Sequence, residues 1–242
     1  MLLRIRRKAE PLENIKSIST QEHSSLKTAA ASDSTLWGVS EGPYSPLVKN
    51  FRSEVKQYYW ERQARKCCYC SKELDQHKGS YDAEHILHKD EHPQFMFHTQ
   101  NLAVACKTCN GIKSNKAVTH NLPDPNHIPE ASTDYKIVHP HLDDWENHFR
   151  FDLIDRIIAL NHDPKALETI SMCGISCLNS ARLADHFLPA DHNSVQMALE
   201  GFFRVKRRAW KVKYIKMLEK MIDQHDLASA RAIVGVLREE ID

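Results

Sequence analysis

The chain has 242 residues, 41% of them hydrophobic, which is enough to build one large domain or two smaller ones. Its formal net charge of +1 excludes a uniformly basic coat protein, so any contact with nucleic acid must come from local basic patches. No apolar run approaches the ~18 residues of a membrane helix, and the basic start MLLRIRRKAEP is not followed by the apolar stretch of a secretory signal, so we expect a cytoplasmic protein without a membrane partner.

The N-terminal part predicts an arm and linker over residues 1–45. Residues 21–46 are rich in Ser, Ala and Thr, which is typical of a linker or of an arm that becomes ordered on a partner. Over residues 47–64, apolar side chains recur at helical spacing without proline or glycine. This pattern predicts a helix that ends just before the first cysteine pair.

Two Cys-x-x-Cys pairs follow, formed by Cys67 with Cys70 and by Cys106 with Cys109. Seven cysteines, an odd number, argue against a disulfide framework in an intracellular chain. Each pair places two thiolates on one tight turn, and two pairs supply the four soft ligands of tetrahedral zinc. We expect a structural zinc, because four cysteines leave no open position; the alternative is buried thiols or a redox pair. Cys68 has unsuitable spacing and is interpreted as a bystander.

The segment between the pairs is longer than in a plain zinc ribbon. The order CxxC, EH-I, NL and CxxCN-x-x-K, over about residues 65–117, resembles the HNH endonuclease family in its zinc-knuckle form. The resemblance implies an α+β fold with a ββα-metal core, in which a hairpin and a helix close around one catalytic divalent ion. It also implies metal-dependent hydrolysis of phosphodiester bonds in DNA.

The same resemblance implies a role for each matching residue. His85 would be the general base, and Glu84 and Asn110 would be ligands of the catalytic metal. Asn101 would fix the hairpin and orient His85 through a hydrogen bond. Many members have His where this chain has Asn110, and the resemblance implies that Asn is tolerated there.

These residue types suit the implied reaction. A neutral imidazole can take a proton from water, and oxygen ligands favour Mg²⁺ or Mn²⁺ over zinc at the second site. Lys113 and Lys116 are candidate phosphate contacts, with surface solubility as the alternative. For His88, His92 and His98 we favour solvated or hydrogen-bonded loop histidines over metal or substrate ligands.

The residues beyond this core, 121–242, predict a mainly helical C-terminal region after the HNH core at 46–120. Proline and polar residues predict a loop over 120–133, and YKIVHP at 135–140 predicts a short strand. Helices are predicted at about 165–187, 193–223 and 226–240, with starts at Asp163-Pro164 and Asn193-Ser194.

Other candidate groups in this region leave alternatives open. A metal site is conceivable in the string that holds His139, His141, Asp143, Asp144 and His148, but packing or capping is favoured. Cys173 and Cys177, four apart on a predicted helix, are expected to be small buried residues.

The basic segment 202–220 has two interpretations, a grip on the DNA backbone or an amphipathic helix with a snorkelling basic face. Trp210 is expected to pack against the helical core. The candidate backbone contacts are Arg204, Arg207, Arg208, Lys211 and Lys213.

The layout of the chain also resembles the HNH partner of Septu-type defence systems, including retron-associated ones. This narrower resemblance implies bacterial anti-phage defence, with an ATPase partner that regulates the nuclease and, where a retron is present, a reverse transcriptase. The alternative function is a zinc-stabilised module that binds nucleic acid or protein without catalysis. A zinc ribbon alone does not require Glu84, His85, Asn101 and Asn110 together, which favours the nuclease.

Overall fold

A computed structural model describes residues 4–77, 79–120, 124, 126–188, 190–225 and 227–241. Three parts of the predictions lie outside the described residues: residues 1–3 of the predicted arm, residues 121–123 and 125 of the predicted loop, and the predicted helix start at 226. The chain forms two compact units: Met1–Phe149 with Ala159–Cys173, and Arg150–Ile158 with Gly174–Asp242. The predicted division points near 45 and 120 both fall within the first unit. Helices and small two-stranded sheets together give the expected α+β class.

The Ser-, Ala- and Thr-rich segment begins with a helix, α1 (Thr20–Ala30), so the predicted linker is wrong there. Ser19 and Glu22 form a reciprocal capping box that satisfies free N–H groups at the start of the helix. Leu26 and Ala30 are fully buried, and a 3-10 turn at Leu36–Gly38 buries Trp37. A segment with the composition of a linker is thus packed into the first unit through Leu26, Ala30 and Trp37.

The long helix α2 (Ser45–Arg62) confirms the prediction for residues 47–64. Its buried face carries Val48, Phe51, Val55 and Tyr59, at the spacing of one helical stripe. After the helix, Gln63 ties its end to the next layer, because the side-chain amide accepts from Val104 N at 2.9 Å and donates to Val104 O at 2.9 Å.

A two-stranded antiparallel sheet and a short helix form the centre of the first unit. Strand β1 (Tyr81–His85) pairs with β2 (Leu102–Cys106) in a register that places Tyr81 opposite Cys106 and His85 opposite Leu102. Helix α3 (Lys107–Lys113) follows β2 directly and packs against both strands, as α2 does. All of β2 is buried, in keeping with its apolar sequence LAVAC.

The predicted strand at 135–140 is wrong. Tyr135 forms only an isolated bridge with Thr119. Further along, Val138 N donates to Thr169 Oγ1 at 2.8 Å and His139 N donates to Asp143 Oδ2 at 2.6 Å. These backbone donors bond to side chains, so they cannot extend a ladder. The unit ends with α4 (Pro164–Met172), which is capped by Asp163 as predicted.

The second unit is mainly helical, in agreement with the predicted C-terminal region. Short strands β3 (Phe149–Phe151) and β4 (Ile157–Ala159) pair with each other where the chain passes between the units. Four helices follow: α5 (Ile175–Ala184), α6 (His192–Arg204), α7 (Arg208–His225) and α8 (Ala228–Glu239). They share one apolar core that includes Phe187, Leu199, Phe202, Leu218 and Leu237.

Several details of this unit differ from the sequence prediction. The predicted helix 165–187 is interrupted at Gly174, whose φ of 66° is left-handed, and the predicted helix 193–223 is interrupted between Arg204 and Arg208. Cys173 therefore follows α4 as its C-cap residue, whereas Cys177 lies in α5. Trp210, expected in the core, is 48% exposed.

No helix in the described part of the chain combines the length and apolarity needed to cross a membrane.

Candidate metal centre and catalytic cleft

The four predicted cysteines, Cys67, Cys70, Cys106 and Cys109, converge. All are buried, and their Sγ atoms lie within 4.8 Å of one another. Cys70 Sγ and Cys106 Sγ are 3.8 Å apart. Tetrahedral zinc with bonds of about 2.3 Å would hold its sulfurs about 3.8 Å apart. The cluster is therefore compatible with a structural zinc, and Cys68 is not part of it.

Backbone hydrogen bonds place the first cysteine pair beside β2. Cys68 N donates to Val104 O at 3.0 Å, and Ser71, with a left-handed φ of 54°, closes the turn by donating to Cys67 O at 3.1 Å. The second pair begins α3, where Cys109 N donates to Cys106 Sγ at 3.4 Å. The first cysteine pair is thus hydrogen-bonded to β2, and the second pair lies at the end of β2, so the two pairs meet there.

A buried arginine from the N-terminal segment lies next to this turn. Arg6 is 3% exposed, and its backbone N donates to Ser71 Oγ at 3.1 Å. Its guanidinium donates to the carbonyls of Pro140 at 3.1 Å and Asp143 at 3.2 Å. Burial lowers the pKa of Arg6, while the nearby Cys68 and Asp143 act in the opposite direction. The segment is therefore anchored on the loop that carries Cys67 and Cys70.

A cleft of about 300 Å³ is lined by residues of β1 and α3 and by residues from other parts of the first unit. Three residues named by the motif, Glu84, His85 and Asn110, line it together, and Lys113 joins them. Asn101 and Lys116 do not line it. The remaining lining residues are Trp37, Arg52, Lys56, Asp82, Ala83, His88, Lys89 and Ser114.

His85 is held at the edge of the cleft. Its Nε2 lies 3.1 Å from Met96 O, and its ring meets the Trp37 ring edge-on with centroids 4.4 Å apart. A carbonyl oxygen can only accept, so this bond requires the hydrogen on Nε2 and leaves Nδ1 as the base of the neutral ring. Burial, supported by the charge of Lys113, lowers the pKa of His85 to about 3. The imidazole is therefore neutral at physiological pH.

Asn101 bridges the two ends of the loop between β1 and β2. Leu87 N donates to Asn101 Oδ1 at 2.7 Å, and Asn101 Nδ2 donates to Leu87 O at 3.0 Å and Phe95 O at 3.3 Å. The expected direct bond from Asn101 to His85 is wrong, because these backbone groups take up the amide. Asn101 acts on His85 at one remove, since it fixes Phe95, next to the Met96 carbonyl that holds the imidazole.

One carboxylate oxygen of Glu84 contacts two side chains. Its Oε1 lies 2.6 Å from Lys113 Nζ and accepts from Tyr69 OH at 3.0 Å. Burial raises the pKa of Glu84, although Lys113 and Tyr69 oppose the rise. Lys113 Nζ also donates to His85 O at 2.8 Å, and Lys116 Nζ donates to Met172 O at 2.9 Å. Both predicted phosphate-contacting lysines thus have protein partners.

Asp82 also lines the cleft, although it is not part of the sequence motif. It lies two residues before Glu84, on the same face of β1, and strand alternation is the signal that could have found it. Its Oδ2 accepts from Asn110 Nδ2 at 3.0 Å, and its Oδ1 lies 2.9 Å from Lys107 Nζ. Asp82, Glu84 and Asn110 together offer the oxygen donors that suit a hard divalent cation, but Lys113 competes for Glu84.

The second histidine-rich string is built into the fold. Asp143 accepts from His139 N at 2.6 Å and from Lys165 Nζ at 2.6 Å. His141 places Nδ1 and Nε2 each 2.7 Å from a carbonyl, of Ala9 and Leu102 respectively. These contacts match the favoured packing and capping role. Within the described residues, the four-cysteine group is the sole cluster of three or more His, Cys, Asp or Glu ligands.

A scan against models of known protein families matched none, and a search of curated protein sequences found no relative. Neither comparison assigns the chain to a family.

Proposed function

We propose that this chain is a metal-dependent HNH-type endonuclease that hydrolyses phosphodiester bonds in DNA. One observation carries the proposal: the imidazole of His85 and the oxygen donors of Glu84 and Asn110 line a single cleft. The β1–β2–α3 arrangement that presents them is the order of elements implied by the motif. The four-cysteine cluster joins the start of α3 to the loop before β1, which would give the cleft a rigid frame.

The charge of the cleft supports a phosphate-containing substrate. Arg52, Lys56 and Lys89 line it in addition to Lys113. Arg52 donates to Trp37 O at 3.1 Å and Lys56 donates to Tyr81 O at 2.8 Å, so these two cations are held in place rather than free in solvent. Fixed cations at a cleft favour the backbone of nucleic acid and provide no base specificity.

The side chains would divide the chemistry between them. Nδ1 of His85 would take the proton of the attacking water, and the negative charge of a bound phosphate would raise the pKa of the imidazole for this task. Mg²⁺ or Mn²⁺, held by oxygens of Glu84 and Asn110, would act as a Lewis acid for the phosphate charge. Asn101 would be a positioning residue, acting through the Phe95–Met96 backbone.

The direct test is plasmid cleavage in Mg²⁺, Mn²⁺ or Ni²⁺. We expect His85→Ala to lower the cleavage rate by about 10²- to 10⁴-fold, the typical contribution of a general base, while zinc content and circular dichroism stay unchanged. His92→Ala is the matched control, because His92 lies in the same loop but outside the cleft lining. Equal rates for wild type and His85→Ala would remove His85 from the mechanism.

A non-catalytic, zinc-stabilised binding module is the second candidate. The buried Lys113–Glu84 ion pair favours it, because the ammonium occupies the carboxylate that the nuclease proposal assigns to the catalytic metal. DNA or protein binding without turnover in all three metals, with the natural partner present, would support this function. The implied ATPase and reverse transcriptase partners stay predictions, which co-purification from the native cell would test.

A further inference from the structure

Helix α7 in the second unit presents a stripe of exposed side chains that its own fold does not use. Trp210, Lys213, Lys216, Met217 and Lys220 are all exposed. With 3.6 residues per turn, they lie within an arc of about 120°. The opposite face of the helix buries Ile215, Leu218 and Ile222 in the core. We call the five exposed residues the α7 stripe.

The α7 stripe is positively charged without compensation. It carries three ammonium groups and no carboxylate, and no described ion pair involves Lys213, Lys216 or Lys220. The acidic residues of α7 that flank the stripe are already paired with α8: Glu219 with Arg238, and Asp223 with Arg231 at 3.6 Å. The positive field of the stripe is therefore available to an external anion.

The apolar members of the stripe narrow the class of anion. Trp210 and Met217 are each 48% exposed, whereas Trp37, Trp60 and Trp145 are at most 8% exposed. Lys213 Nζ lies 4.2 Å from the centroid of the Trp210 ring. An exposed aromatic ring among lysines suits a polymer with both phosphates and unstacked bases. Duplex DNA would contact only the lysines, because its bases are already stacked on one another and cannot stack on Trp210.

We propose that the α7 stripe binds single-stranded nucleic acid, with the lysines on successive phosphates and a base stacked on Trp210. Insertion into an anionic membrane is disfavoured because the apolar face of α7 is already buried in the core. The inference concerns binding alone and stands whether or not the cleft in the first unit cleaves DNA.

The test is fluorescence anisotropy of a labelled 20-nucleotide single strand and its duplex with the full chain, without added Mg²⁺ or Mn²⁺. Replacing Lys213, Lys216 and Lys220 together by Gln should reduce the salt dependence of binding, the slope of log K against log salt, by about 2, since each single-strand phosphate contact contributes about 0.7. Trp210→Ala should weaken single-strand binding about tenfold and leave duplex binding unchanged. Intrinsic tryptophan fluorescence should change on binding the strand in wild type but not in Trp210→Phe.

The matched control replaces three exposed lysines of the first unit, Lys16, Lys49 and Lys72, by Gln, and it should leave the slope intact. An unchanged slope in the α7 variant would overturn the proposal. So would equal affinity for strand and duplex together with no effect of Trp210→Ala, or stripe-dependent capture by phosphatidylserine vesicles in place of the strand. Strand binding without any cleavage would leave this inference standing while the nuclease proposal fails.

Discussion

The Lys113 ammonium and the Glu84 carboxylate form an ion pair in which both side chains are only 1% exposed. Removing two charges from water is costly, and only their mutual attraction and added hydrogen bonds offset that cost. Tyr69 OH and the His85 carbonyl supply those additional bonds. Each member of the pair is therefore strongly dependent on the other, and a divalent ion at Glu84 would have to replace or share the role of Lys113.

Lys113→Met should destabilise the first unit by about 3–5 kcal/mol, because it leaves a buried carboxylate without its partner. If Glu84 is a metal ligand, added Mn²⁺ should then raise the melting temperature of this variant more than that of wild type. Denaturant unfolding and thermal melts with and without Mn²⁺ measure the two effects.

Lys116→Met serves as the control, because Lys116 is exposed and lies outside the cleft lining. The double variant Glu84→Gln with Lys113→Met should recover part of the lost stability, since no charge is then left unpaired. A Lys113→Met protein as stable as wild type would contradict the account of the pair.

At this same scale, spacing along the chain explains which site residues could be predicted. Glu84 and His85 lie between the two cysteine pairs, and Asn110 directly follows Cys109. Their fixed positions relative to the cysteines make them part of the sequence motif, so they could be predicted. Trp37 and Arg52 reach the cleft from a 3-10 turn and from α2, and no local pattern links them to His85. The Lys113–Glu84 pair depends on how α3 packs on β1, which spacing does not reveal.

Among the elements, the junction between α4 and α5 shows how one residue divides a predicted helix in two. Gly174 has φ 66° and ψ 25°, in the left-handed region that costs other residues about 1 kcal/mol or more. The apolar periodicity continues across it, so a pattern based on hydrophobicity alone predicts one helix over 165–187. The backbone reverses its conformation at the glycine because only that residue lacks a Cβ.

Gly174→Ala should therefore destabilise the second unit by about 1 kcal/mol. Gly235→Ala is the matched control with the opposite expected sign: Gly235 lies inside α8, and a Cβ there would meet nothing within 4 Å. That change should stabilise the unit by about 0.5–1 kcal/mol, because alanine favours the helix. Urea unfolding monitored by far-ultraviolet circular dichroism compares the two, and effects of the same sign would contradict the conformational argument.

The sequence also did not predict the break between α6 and α7, and it wrongly predicted a strand at 135–140. The helix over 47–64 could be predicted because its apolar residues recur at helical spacing over several turns. The predicted strand does not form because the N–H groups of Val138 and His139 donate to the side chains of Thr169 and Asp143. These N–H groups are therefore not available to a neighbouring strand. Such competition between side chains and backbone depends on tertiary contacts.

For the whole molecule, the division into two units has a consequence for the role of the four-cysteine cluster. The four cysteines all belong to the first unit, whereas the second unit has its own apolar core. The α+β class and the helical C-terminal region could be predicted from composition and periodicity. The extent of the first unit could not, because Leu26 and Trp37 become core residues only through contacts distant in sequence.

If the four-cysteine cluster holds zinc, removal of that zinc should unfold the first unit and leave the second largely folded. Zinc sites of this kind contribute on the order of 10 kcal/mol to the stability of small modules. Hydrogen exchange followed by mass spectrometry should show faster exchange in peptides of α2 and β2 after chelation, with little change in α6 and α7. Cys106→Ser should reproduce the effect, and Cys68→Ser, which changes a buried cysteine outside the cluster, should not. Equal loss of protection in both units would contradict the independence of the cores.

The separation of the two cysteine pairs along the chain also bears on synthesis. During translation, Cys67 and Cys70 leave the ribosome well before Cys106 and Cys109, and at roughly 5–20 residues per second the interval lasts several seconds. Through that interval the nascent chain holds only half of its ligands, and the hairpin that carries Glu84 and His85 has no clamp. If the cluster holds zinc, scarcity of zinc in the cell would therefore act on newly made chains, whose hairpin still lacks its clamp.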